Sequence, residues 1–473
     1  MTLNAFTADA SSALPGPGWL AARRSEAWER FAAGSLPHEA EEVWRYSGID
    51  RFDLDVFTPP PALSARPSDV AVGRALAEPF GRRAALVVTV NGAVVGVETA
   101  TVAEDQLSVS SVLSDADIPP GLGDLAPAHD AFGELHNAFL ADVVHIAVAS
   151  KAVLRDPVVV VHLVDRVTPS GSLSAFPRSL VHVGTSAEAG VIELFASMDP
   201  TSGTGRRAGA EAVPVGDAEA AGPPAAPVLV IPVTELEVED DAHLAYANLQ
   251  VLDQACTQLA VQSSRVGRNA TLRSFTVSLG GGYARVRTDS DLVGQGGHTS
   301  LLAAYLGTDR QVHDFRTLQD HHAPRTESEL LFKGAVADDS RSVYSGLIHI
   351  RNGAHGARAF QTNHNLVLSE GAHADSVPNL DIEENDVRCS HASTVGPIDE
   401  DQRYYLESRG ISPAVAERLI VLGFFSDLAG RAPFAGVGAW VDGAVSRRLS
   451  GRLPSERLPS NDVETGERGG GDG

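Results

Sequence analysis

Positive charge is scarce in this chain: 37 Lys and Arg face 61 Asp and Glu, a formal charge of −24. Binding a nucleic-acid backbone needs a basic stripe, so the balance argues against that class of partner. Lys151 and Lys333 are the only lysines, and the arginine excess reads as codon bias rather than chemistry. Cysteine is as rare. Cys256 and Cys389 are too few for a disulfide framework, which points to a reducing, cytoplasmic setting where a lone thiol is buried filler or a working group. No run reaches the ~18 apolar residues of a membrane span. The opening residues have neither the basic nor the apolar region of a secretory signal. Also missing are a phosphate-binding G-x-x-x-x-G-K-[ST] loop, a dinucleotide fingerprint, a G-x-S-x-G elbow and an H-E-x-x-H zinc helix. Gly280-Gly281-Gly282 reads as a β-turn, since no helix follows it. Nothing here reads as a self-sufficient enzyme.

What is present is a long β-rich tract between helical ends. Residues 16–31, 39–46, 68–76 and 129–140 have helical spacing, and 84–90 with 93–97 form a hairpin around Asn91-Gly92. From about 141, short β-rich runs recur between Gly, Asn, Asp and Ser, ending with 377–382, and no helix-length apolar pattern interrupts them. A βαβ sheet would need crossover helices, so a sandwich, a barrel or a solenoid remains. Corner composition and small inward residues favour a mainly β fold: a right-handed parallel β-helix core flanked by N-terminal and C-terminal helical domains, although no strict repeat is visible. The expected divisions are a mostly helical region with the hairpin at 1–140, the core at 141–396, and a C-terminal helical domain at 397–449. A Gly-, Ala- and Pro-rich insert at 197–227 reads as flexible, and 450–473 as a disordered tail.

Cys389 and His391 are the sharpest chemical feature. On an extended segment both side chains share one face, with Cα atoms roughly 6.5 Å apart. A thiolate and an imidazole so placed suit iron, zinc or sulfur chemistry. The structural alternative is a small buried hydrophobe beside a satisfied histidine. Two ligands do not close a tetrahedral site, so such a site needs residues from elsewhere or from a second chain. Directly after the pair the pattern turns helical. Asp399 is a good N-cap with Gln402 as capping-box partner, Gly410 can close that helix, and Ser412-Pro413 start another. His298, His313, His321, His322, His349, His355, His364 and His373 read as polar decoration of solenoid faces. Adjacent His321 and His322 point oppositely, so a strand cannot offer both to one metal.

The stretch Asp386-Val387-Arg388-Cys389-Ser390-His391-Ala392-x-Thr394-Val395-Gly396, with Pro378-x-Leu380-x-Ile382 before it and Tyr405-Leu406-x-Ser408-Arg409-Gly410-Ile411 after it, resembles the SufB/SufD family of the SUF iron–sulfur cluster assembly system. The match is better to its SufD branch than to SufB. Phe332-Lys333-Gly334, Gln361-Thr362-Asn363-x-Asn365, Glu42-x-Trp44-Arg45-Tyr46, and Phe139 with Asp142 extend the resemblance to nearly the full length. Val377, Arg388 and Ala392 depart from the common pattern without removing a ligand type. The resemblance implies a non-catalytic scaffold that pairs with SufB through the cores, while the SufC ATPase grips the C-terminal helices, here Tyr404, Tyr405, Leu406, Arg409 and Ile411. His391, with Cys389 beside it, would help assemble a transient iron–sulfur cluster shared with SufB. The family also allows a reduced flavin in the complex and a homodimer of the isolated chain, with no tightly bound cofactor in that chain and no nucleic-acid or membrane partner. Two other readings stand: a β-helix polysaccharide lyase or hydrolase, and a purely structural subunit with an inert Cys-x-His pair.

Overall fold

The computed structural model describes residues 5–60, 66–101, 105–114, 117–165, 172–198 and 226–450. The expected insert (all but 197–198 and 226–227) and the tail from 451 lie outside the described residues. The N-terminal part holds α1 (Ala8–Ser12), α2 (Gly18–Ala33), α3 (Pro67–Ala77) and α4 (Ala131–Ala138). Among them run β1 (Ala85–Val90), β2 (Ala93–Thr99) and β3 (Leu107–Ser111). The expected hairpin is present: Asn91 and Gly92 have φ of 50° and 91°, the left-handed pair that a type I′ turn requires.

Strands β4 (Val144–Val148), β5 (Val158–Val164), β6 (Leu173–Ala175), β7 (Arg178–Val183) and β8 (Glu188–Ser197) begin the solenoid. It continues through β9 (Val228–Val230), β10 (Val233–Val238), β11 (His243–Val251), β12 (Cys256–Val266), β13 (Thr271–Ser278) and β14 (Tyr283–Leu292). Then come β15 (His298–Gly307), β16 (Val312–His321), β17 (Glu327–Val336) and β18 (Arg341–Ile350). The last rungs are β19 (Arg358–Val367), β20 (His373–Ile382) and β21 (Arg388–Gly396). The chain alternates between two parallel sheets. One runs β5-β8-β11-β13-β15-β17-β19-β21, the other β7-β10-β12-β14-β16-β18-β20, in about seven turns. Helices α5 (Glu400–Ser408), α6 (Pro413–Ala429) and α7 (Ala435–Ser450) close the described chain. The mainly β class with helical ends agrees with the expectation.

The rungs repeat with a period of about 30 residues, inside the range of solenoid repeats. His243, Thr271, His298, Glu327, Arg358 and Arg388 stack in one column. Corners fall at Asp241, Asn269, Asp309 and Asp338, whose φ of 58°, 52°, 55° and 58° is the left-handed conformation that Asp and Asn tolerate best. Inward positions are larger than expected. Tyr305, Phe315, Phe332 and Tyr344 form a chain of tilted and edge-to-face ring contacts inside the coil. Gly334 leaves room for this: a Cβ there would come within 1.9 Å of the Tyr305 ring.

The outer face of the first sheet is apolar and is covered by helices. Val88, Val161, Leu194, Leu249 and Val277 pack with Phe425, Val441 and Val445 of α6 and α7. Burying a side chain of this size contributes roughly 1.5–3 kcal/mol, which explains why this face needs a cover. One expected helix is absent. Residues 39–46 contain only a short 3-10 turn (Glu42–Trp44), and Tyr46 leaves it at φ 66°. Two of the segment's carbonyls are instead held from the solenoid: Arg285 donates to Val43 O at 2.6 Å and Arg316 to Arg45 O at 2.7 Å.

Candidate functional site

β21 is the last strand of its sheet, bonded to β19 on one side, and β20 ends the other sheet next to β18. The register sets Cys389 beside Ala359, His391 beside Gln361, Ser393 beside Asn363 and Val395 beside Asn365. Those four β19 residues are buried and face the interior of the coil. Cys389, His391, Ser393 and Val395 therefore continue the inward face into a rung on which no further strand stacks among the described residues. Exposure changes accordingly: β21 is exposed along most of its length, whereas β18 is largely buried. Leu380 and Ile382, level with the fully buried Ile348 and Ile350, are 36% and 42% exposed. Among the described residues the solenoid thus ends in an open core with unpaired strand edges, a surface that proteins rarely leave uncovered.

Within this rung the two candidate ligands differ. Cys389 is half-buried against Ala354, Ala357 and Ala359. Burial pushes its thiol up, only partly offset by a backbone hydrogen bond at Ala359. It is a protonated thiol at neutral pH, and a metal would have to displace that proton. His391 is exposed. Beneath Ser393 and Val395, further along the same strand, lies a polar floor. Tyr305 Oη donates to Asn365 Oδ1 at 2.7 Å, Asn365 Nδ2 to Asn363 Oδ1 at 2.7 Å, and Ser376 Oγ to Asn363 Oδ1 at 2.8 Å. Gln361, directly under His391, approaches the Tyr344 hydroxyl, yet neither of its buried amide atoms completes a hydrogen bond.

Helix α5 follows at once. Asp399 Oδ1 accepts from Asp401 N at 2.9 Å and Gln402 N at 3.3 Å, the N-cap that the sequence expects. Gly410, at φ 85°, sends its N–H to Glu407 O, and Ile411 sends its own to Leu406 O, a Schellman closure. No residue of α5 is buried. Tyr404 is 73% exposed and Tyr405 57%, while Leu406 and Ile411 are half-buried. The Arg409 guanidinium lies over the Tyr405 ring at 5.2 Å. All five residues expected at an ATPase contact therefore sit on one small helix or its cap.

The other resemblance motifs build the frame. Lys333 reaches from β17 to Asp427 Oδ2 at 2.7 Å and Phe424 O at 3.1 Å, fastening α6 to the solenoid. Trp44 is buried beneath the Arg285 guanidinium at 3.7 Å, and Asp314 holds both Arg285 and Arg316. Asp142 is buried and accepts from Ser111 Oγ and the amides of Val94 and Val143. Burial raises its carboxyl and those bonds only partly offset that.

The histidines divide. His313 and His321 are not decoration but interior groups. Burial lowers His313 to about 3 and His321 to about 4. His321 contacts Thr326 Oγ1 at 2.7 Å and Ser328 Oγ at 2.8 Å. His322 points out, as the alternation requires, and meets Asp291 and Asp320, a grouping the sequence reading missed. The rung period brings those two aspartates into register, and without it they look unrelated. No helix among the described residues is long and apolar enough to cross a membrane.

Residues 166–424 match the family described as SUF system FeS cluster assembly, SufBD core domain. A SufBD family iron–sulfur cluster assembly protein of Mycobacterium tuberculosis is 40% identical over 202 residues, 41% of this chain and 51% of that protein. This chain thus spans about half the length of the mycobacterial relatives it matches. SufD of Escherichia coli is 29% identical over 332 residues, 70% of this chain and 72% of that protein. SufD of Bacillus subtilis is 29% identical over 218 residues, 46% and 50% of the two chains. With over half of its length in the matched core, the chain belongs to the SufBD core-domain family of SUF iron–sulfur cluster assembly proteins.

Proposed function

We propose that this chain is a SufD-type scaffold subunit that works without a reaction of its own. It would meet a SufB-type paralogue end to end at the β20–β21 rung and a SufC-type ATPase at α5. The observation that carries the reading is the position of Cys389 and His391, on the inward face of the solenoid's last rung, which no other strand covers among the described residues. A second solenoid stacked there would cover Leu380, Ile382 and Val395, which are 36%, 42% and 43% exposed. It would also bond the free strand edges by the same ladder that joins the existing rungs. The nascent cluster is cargo in this scheme. One imidazole and one thiol make a half-site, and iron–sulfur clusters take four such ligands, so the partner has to supply the rest.

Helix α5 supports the second contact. An amphipathic face with two exposed tyrosines and a stacked arginine has the composition of interface hot spots. It follows β21 after only a short link, so motion imposed on α5 would be felt at the open rung. A reduced flavin in the assembled complex belongs to the same proposal, as does a cytoplasmic setting. Isolation of the chain from its own cells tests the assembly. A SufB-type paralogue and a SufC-type ATPase are expected to copurify in stable stoichiometry. Recovery of the chain alone or as a homodimer, with cluster assembly intact in the remaining pool, contradicts it.

A further inference from the structure

Two rungs below the open end, the outer face of the second sheet carries a column of ionisable groups at its strand ends. Asp291, Asp320 and His349 are consecutive parallel partners. His322, one residue past β16, folds back onto the first two. Its Nε2 lies 3.3 Å from Asp320 Oδ2 and 3.8 Å from Asp291 Oδ1. One donor atom from each of Asp291, Asp320 and His322 falls within 4.8 Å of the other two.

Three features separate this group from an ordinary surface ion pair. First, His322 Nε2 is out of contact with solvent yet completes no hydrogen bond, although two carboxylates flank it. Second, His322 Nε2 stands at ligand spacing from both carboxylates, 3.3 and 3.8 Å away. Donors bonded at roughly 2.0–2.2 Å stand about 3–4 Å from each other. Third, Asp320 is oriented from behind: Arg351 Nε donates to its Oδ1 at 2.9 Å and Nη2 to its Oδ2 at 2.7 Å. Such outer-shell bonds fix a ligating carboxylate and leave its remaining lone pairs free. His349 Nδ1, 3.3 Å from Asp320 Oδ1, flanks it from the next rung.

We propose that Asp291, Asp320 and His322 form a binding site for a divalent first-row transition-metal ion. One imidazole with two carboxylates is a borderline donor set, suited to Mn2+, Fe2+, Co2+ or Zn2+ and poorly matched to Ca2+ or Mg2+. Three protein donors leave coordination positions for water, so the ion exchanges rather than staying locked. The column continues towards the open rung. His349 Nε2 lies 3.7 Å from Glu383 Oε1, and Glu383 opens the corner that leads into β21. The ion is Fe2+ if the scaffold reading above holds. That choice rests on the reading, whereas the site does not.

Equilibrium titration of the metal-free full chain with Co2+, followed by calorimetry and visible d–d absorption, tests it. One Co2+ per chain is expected, retained in the Cys389→Ser/His391→Ala double variant and weakened at least tenfold by His322→Ala and by Asp291→Asn. Both residues are partly exposed, and circular dichroism with thermal unfolding verifies that the variants fold. An excess of Ca2+ should not displace the Co2+. Binding that survives His322→Ala, displacement by Ca2+, or no stoichiometric binding up to about 1 mM overturns the assignment. Loss of Co2+ in the double variant alone would place the ion at the assembly edge instead and equally overturn this site, while leaving the scaffold reading intact.

Discussion

His391 stands directly above Gln361 in the parallel ladder between β21 and β19, and the two share an inward face; Gln361 is 1% exposed whereas His391 is open to solvent. The difference is one rung. Everything below it is roofed, and the last pair of strands is not.

That missing roof makes a first prediction. Ile382→Glu places a charge on an already exposed end of the core. The folding free energy of the isolated chain should move by no more than about 0.5 kcal/mol, as for most surface changes. Association with the paralogue should fall by at least tenfold, read by analytical ultracentrifugation or calorimetry. An unchanged association constant argues against the β20–β21 end as the joint.

Helix α5 makes the second. Tyr404→Ala with Tyr405→Ala removes two largely exposed rings, of which Tyr405 meets the Arg409 guanidinium on the helix's own C-cap. The melting temperature should hold, and binding of the ATPase should weaken by about 2 kcal/mol or more, the size of an interface hot spot. Pull-down and calorimetry with the purified ATPase read it.

The clamp on the N-terminal segment makes the third. Asp314 is fully buried and pairs with Arg285 and Arg316, both nearly buried. Asp314→Ala leaves two guanidinium groups without their counter-ion, at a cost of about 3–5 kcal/mol. Urea unfolding should register that loss, and proteolysis should open the chain near Trp44 first.

How much of this the sequence carried depends on length scale. Period-two alternation marked most strands, and Asn91-Gly92, Asp399 and Gly410 marked a hairpin and two helix ends, because these signals are local. Residues 39–46 read as a helix because the groups that hold this segment against the solenoid, Arg285 and Arg316, lie far along the chain. The rung period was hidden because solenoid positions repeat in burial rather than in residue type: His243, Thr271, His298 and Glu327 share one column. For the same reason β21 escaped the strand series, and the grouping of Asp291, Asp320 and His322 could not be seen. Cys389 and His391 stood out because their spacing is a property of a single strand.

The buried histidines make the fourth prediction, for pH. Burial holds His321 at about 4, against an ordinary value of 6.5, so the folded chain keeps it neutral where the unfolded chain would protonate it. Its stabilising effect is complete above pH 6.5 and is lost as pH falls from there towards about 4, by on the order of 3 kcal/mol. Unfolding free energies at pH 7.5 and 4.5 should therefore differ less in His321→Asn than in the unaltered chain. An equal difference contradicts the assignment.

The most direct measurement is cluster formation by the reconstituted complex carrying His391→Ala. Assembly is expected to proceed normally up to that step: the altered chain, exposed at this position, should fold and bind both partners as before. Iron–sulfur absorption should then fall by tenfold or more. Undiminished absorption in a fully assembled complex would contradict the claim that the open rung delivers a ligand to the nascent cluster.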